Sequence, residues 1–161
     1  MFTLQNSENK LVVTKNFIKR SKTLNNLMED LNGWNDKSPI PIGIDFKIMK
    51  EFYTIFQQVE NIKCDGKLIF DYLVDDLDTY IETYPQQNKE PPFQDKILEL
   101  SNRIIIDNVN GYIKLADFLD MMCMTRFLSL VFAYFIKNMK DYNEKVEIFR
   151  RIRQRLGHIK Y

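Results

Sequence analysis

Few residues in this chain of 161 have the type and spacing for catalysis. There is one histidine, His158, and the two cysteines, Cys64 and Cys123, lie far apart and outside any CxxC. Hydrolytic triads draw on histidine, and zinc sites on clustered histidines and thiolates, so neither chemistry has its usual residues here. Five glycines form no GxGxxG and no GxxxxGKS or GxxxxGKT, which leaves out the backbone cradles that hold phosphates. The carboxylates of Asp71, Asp75, Asp76 and Asp78 invite a metal, but the run lacks the turn glycine and closing glutamate of a calcium loop. Helical spacing would scatter them, and a solvated acidic face is the expectation. No catalytic residue, cofactor or metal is expected.

What remains is chemistry of contact. Arg150, Arg151, Arg153 and Arg155 sit on an amphipathic helix, with Arg151 and Arg155 at i, i+4 and Arg150 and Arg153 at i, i+3. These two basic stripes can pair with the chain's own acidic helix, dock an acidic protein, or meet nucleic acid. Lys+Arg at 23 against Asp+Glu at 22 gives a formal charge of +1, which argues against nucleic acid as the main partner. The cluster Met121, Met122, Cys123 and Met124 reads either as a plastic binding surface or, with more weight, as a core helix filled by flexible side chains.

The elements that position these groups follow from periodicity. Residues 2–15 carry two short apolar stretches around a polar run, a β-hairpin signal. From Asn16 the period becomes helical, through Phe17, Ile18, Leu24, Leu27, Met28 and Leu31, with Ser21 or Thr23 as a cap. Residues 32–37 read as a loop. Pro39 and Pro41 restrict Ile40–Ile42 to a short edge strand, since proline cannot donate to a ladder. Asp45 then caps a helix bearing Phe46, Met49, Phe52, Tyr53 and Phe56. An acidic amphipathic helix is predicted over residues 70–82, a linker over 84–92 and a short helix over 93–100. Tyr112–Lys137 reads as a helix pair buried on most sides, and Asp141 or Asn143 opens a last helix, Glu144–Leu156.

With 161 residues, 45% of them hydrophobic and 28% charged, the chain is expected to fold as one domain, or as one domain with an appendage. The start has neither a basic segment nor an apolar signal core, and the run Phe127–Ile136 is too short for a bilayer, so a cytoplasmic or nuclear protein without membrane attachment is expected. The bias toward Asn, Ile, Lys, Phe and Tyr resembles that of AT-rich genomes, including large DNA viruses.

Several islands then share an order with a known family. Residues 2–10, Ser21 through Leu31 (Ser-x-Thr, then Met-Glu-Asp-Leu), Pro39-Ile-Pro-Ile42, Ile48-Met-Lys50 and Leu115-Ala-Asp-Phe-Leu-Asp120 resemble, in order, the S-phase kinase-associated protein family. Its members are BTB/POZ-fold adaptors of cullin-RING ubiquitin ligases, and the islands span residues 2–56 and 111–137. The elongin C branch shares much of this pattern and is separated only by the C-terminal extension. There are departures: Asp117 and Phe118 stand where the family has Asn and Tyr, and the stretch around Arg150-Arg-Ile-Arg-Gln-Arg155 is basic where the family carries an acidic, Trp-containing helix.

The resemblance implies an α+β class, with a small sheet of about three strands capped by helices. It divides the chain into a BTB/POZ domain at 1–137, with a variable insert at 59–92, and a helical extension at 138–161. It further implies a non-enzymatic adaptor in the ubiquitin conjugation pathway, with Asp117 and Phe118 facing a cullin-like scaffold. Phe127, Val131, Phe135, Ile148 and Ile152 would meet an F-box-like receptor. The alternative is a BTB-fold structural or assembly protein, self-associating or part of a viral complex, without ubiquitin. A third is a nucleic-acid accessory protein working through Arg150–Arg155.

Overall fold

The computed structural model describes residues 1–30, 38–64, 66–75, 99, 108–138 and 141–157. Within them the chain is mixed α+β, with a three-stranded sheet, a small two-stranded one and seven helices.

Strand β1 (Phe2–Asn6) pairs antiparallel with β2 (Asn9–Val13), with Leu4 opposite Leu11 and Phe2 opposite Val13. The reversal puts Ser7 at φ 51°, and the Gln5 side-chain amide donates to its carbonyl at 2.7 Å. Strand β3 (Ile40–Pro41) lies parallel to β1 on its other side, giving the order β2-β1-β3. Pro41 is tolerated because β3 is an outer strand, and the Ile42 amide continues the pairing by donating to the Gln5 carbonyl at 2.8 Å.

Helix α1 (Lys15–Arg20) starts at Thr14, whose hydroxyl accepts from the Phe17 amide at 3.3 Å. It buries Phe17 and Ile18. Ser21 breaks it with an extended backbone and then caps α2 (Lys22–Asp30), accepting from the Leu24 amide at 3.1 Å. Asp45 caps α3 (Phe46–Val59) through the Ile48 amide at 3.0 Å. Of these three caps, Asp45 and Ser21, the latter one of the two residues offered for α2, stand where the sequence suggests, since short oxygen-bearing side chains satisfy helix donors that have no partner within the helix.

The inward face of α3 carries Met49, Phe52, Tyr53, Phe56 and Val59. Phe17 meets three of its rings edge-on, at centroid distances of 6.2 Å to Phe52, 5.1 Å to Tyr53 and 5.0 Å to Phe56. Phe56 stacks on Phe70 at 5.3 Å, and Phe70 reaches Phe127 at 6.5 Å, so one aromatic chain links both halves of the core.

Between the halves, within the stretch expected as a variable insert, the structure describes two short strands and a helix. A hairpin of β4 (Lys63–Cys64) and β5 (Lys67–Leu68) turns through Gly66 at φ 81° and leads directly into α4 (Ile69–Asp75). The rest of the predicted helix 70–82, the loop 32–37, the linker and the helix at 93–100, Glu99 excepted, fall outside the described residues. Helix α5 (Val109–Phe118) and helix α6 (Met122–Asn138) form the expected pair, with α6 packed on α4 and α5 on α3. Helix α7 (Tyr142–Gly157) is opened by Asp141, whose carboxylate accepts from the Asn143 amide at 2.8 Å. No described helix is long and apolar enough to cross a membrane.

Candidate interaction surface

The turn between α5 and α6 is built to display what precedes it. The Asp120 amide donates to the Asp117 carbonyl at 3.0 Å and the Met121 amide to the Ala116 carbonyl at 2.8 Å, the two bonds of a Schellman cap. Such a cap needs a left-handed residue, and Asp120 supplies it at φ 46°, a conformation that a short polar side chain tolerates. Leu119 and Met121 are buried by this reversal, while Asp117 and Phe118 stay outside. Phe118 is 62% exposed.

The start of α2 holds the turn in place. The Ser21 hydroxyl donates to the Leu119 carbonyl at 2.6 Å and the Thr23 hydroxyl to the Phe118 carbonyl at 3.2 Å. The amides of Lys22 and Thr23 donate to the carbonyls of Asp120 and Leu119 at 3.2 and 3.3 Å. Free donors at one helix start thus meet free acceptors at another helix end, with the two dipole ends opposed in sign.

The remaining sequence-selected residues scatter. Phe127, Val131 and Ile148 are buried in the chain's own core, a correction to their expected role as receptor contacts: a side chain packed inside the chain, as the Phe127 ring is against Phe70 of α4, has no surface left for a partner. Phe135 is half-buried. Ile152 lies on α7, and its side chain, like those of Arg153 and Arg155, is outside the described set.

Arg150 is paired within α7, donating through Nε and Nη2 to Glu147 at 2.9 and 2.6 Å. That hydrogen bond holds the Glu147 carboxyl below its usual range and raises Arg150. Arg151 is exposed. The suggested pairing of these arginines with the acidic helix 70–82 falls largely outside the described residues, which hold only its first part, to Asp75, and not the side chains of Arg153 and Arg155. Asp71 is held by Arg20 at 2.7 Å and Asp75 by Lys67 at 3.5 Å. Acidic residues at the start of α7 and basic ones at its end also suit the helix dipole. No group of three metal-ligating side chains is found among the described residues. Asp76 and Asp78 lie outside them.

The methionine cluster divides. Met121, Cys123 and Met124 are core, whereas Met122 is 47% exposed. It lines an open depression of about 300 Å³, with Val74 from the end of α4, Lys19 and Arg20 from α1 and Lys22 from α2. Sequence reasoning missed this site, because no spacing links Lys19 or Val74 to Met122. The sequence held no signal for it, since Met122 sits in an unbroken run of apolar residues, Met121–Met124.

Cys123 closes the depression and is 2% exposed, and burial pushes its thiol up to about 11. At pH 8 an ordinary thiol is about one quarter thiolate and one at about 11 only about a thousandth. In a Cys64→Ser variant, Cys123 is expected to react with an aromatic disulfide reagent at least ~100-fold more slowly when folded than in denaturant. Equal rates would mean that the burial does not persist in solution.

Comparison of the chain with family models, with curated proteins and with solved structures finds no match.

Proposed function

We propose that this chain is a non-enzymatic adaptor with a BTB/POZ fold, similar to the S-phase kinase-associated proteins, that works in the cytoplasm or nucleus. It joins a cullin-like scaffold, through Asp117 and Phe118, to an F-box-like substrate receptor, through the C-terminal helices. The mechanism is proximity: a bound substrate experiences a raised effective concentration of the ligase, and the adaptor itself makes and breaks no bonds. The reading is supported above all by the exposure of Phe118 beside Asp117 on a doubly held turn, because a large aromatic ring left in solvent on a rigid mount is typical of an interface anchor. The mixed order β2-β1-β3, with helices on the sheet, is compatible with the proposed fold. On the receptor side half-buried Phe135 is kept, and half-buried Phe132, Tyr134 and Ile136 along α6 take the place of the buried Phe127, Val131 and Ile148.

An assembly role without ubiquitin is the second reading. It is supported by β2, an outer strand on which Val12 is largely exposed. Affinity purification from native cells separates the two, since cullin and F-box proteins in the eluate favour the adaptor and copies of the chain alone favour assembly. With a cullin-like partner in hand, Phe118→Ala is expected to weaken binding by about 2 kcal/mol, roughly thirtyfold, with the melting temperature unchanged. Undiminished binding would remove Phe118 from the interface.

A further inference from the structure

We propose that the depression between α1, α2, the end of α4 and the start of α6 is a docking site for a short acidic segment of a partner protein. One apolar side chain of that segment seats between Val74 and Met122, and flanking carboxylates face Lys19 and Lys22. This goes beyond the adaptor reading and does not depend on it.

The chemistry of the walls selects this occupant. Val74 is 37% and Met122 47% exposed, so two large apolar side chains from different elements share one concavity and remain wet. Three cations, Lys19, Arg20 and Lys22, line it against one anion, Asp120. Arg20 is already engaged, by Asp71 at 2.7 Å and by the Phe70 ring at 5.7 Å. Lys19 and Lys22 are exposed and make no ion pair with any described residue. The surplus positive charge therefore resides in the two lysines at the rim. A segment with acidic residues gains there, and a basic one is repelled.

The site is also preformed. Arg126 on α6 donates through Nη1 to the carbonyls of Leu73 and Val74 at 2.7 and 2.9 Å, which ties the end of α4 to α6. The Lys22 amide is bonded to Asp120, which fixes the opposite wall. Walls held before binding avoid the ordering cost that weakens flexible sites. A volume of about 300 Å³ is at the small end for ligand pockets, which suits an extended segment inserting one side chain rather than a whole helix.

The test is selection of a random heptapeptide library displayed on phage against the intact chain. Enrichment of peptides with Asp or Glu on either side of one Leu, Ile, Met or Phe is expected. A synthetic peptide of the selected sequence should bind with a Kd that rises at least tenfold in Lys19→Glu with Lys22→Glu and rises with added salt. Both lysines are exposed, so the folded state is expected to persist, checked by circular dichroism. Phe118→Ala should leave the Kd unchanged, which separates this site from the proposed scaffold face. Selection without acidic enrichment, or a Kd indifferent to the double reversal, would overturn the proposal.

Discussion

Replacing Phe17 with alanine is expected to cost the folded protein about 3–5 kcal/mol, the range for removing a fully buried aromatic side chain. Phe17 is fully buried and sets its ring edge-on against Phe52, Tyr53 and Phe56, so the change leaves a void and also removes three aromatic contacts. A domain of this size is stable by only about 5–15 kcal/mol in total. The urea midpoint should therefore fall steeply with an unchanged slope. Phe17→Leu, which keeps most of the volume, should recover more than half of the loss. A loss under ~1 kcal/mol for the alanine variant would contradict the burial of Phe17 at the centre of the core.

Ser21→Ala is expected to have the largest effect of any polar substitution. Ser21 is fully buried, and one hydroxyl does two jobs: it accepts from the Leu24 amide to start α2 and donates to the Leu119 carbonyl to hold the α5–α6 turn. Loss of a helix cap costs about 1 kcal/mol and loss of a buried hydrogen bond about the same, so ~2 kcal/mol is expected. Thr23→Ala, which removes one exposed hydrogen bond to the Phe118 carbonyl, should cost under ~1 kcal/mol. Hydrogen exchange distinguishes a general from a local loss. The Asp120 and Met121 amides should exchange faster in Ser21→Ala than global destabilisation accounts for, because the turn has lost its anchor. If those amides are protected as in the parent, Ser21 acts on α2 alone and the turn is held by the other three bonds. The proposed scaffold face stands on this turn, so weaker partner binding is expected to accompany faster exchange.

Much of the fold was legible because its causes are local. The two apolar stretches either side of the polar run Asn6–Lys10 mark the hairpin, proline at 39 and 41 confines β3 to an edge, and the oxygen-bearing side chains of Ser21 and Asp45 mark where helices begin. Aromatic residues at helical spacing give the buried face of α3. The exposed pair Asp117 and Phe118 came from a family resemblance rather than from spacing. The β4–β5 hairpin left only the dipeptide Asp65-Gly66, a turn signal too short to stand against the helical pattern that follows it.

Sequence by itself determined the elements here, because period, caps and turn residues act over a few positions and carry their effect wherever the segment lies. Tertiary structure alone decided which apolar side chains are consumed. Helix α6 is apolar on most sides, so its period could not say that Phe127 and Val131 pack inward while Met122 stays wet. The same holds for pairing. Asp71 takes Arg20 as its partner and Ser21 takes the carbonyl of Leu119, 98 residues away, because a hydrogen bond or ion pair depends on distance in space, which the spacing of residues along a chain does not contain.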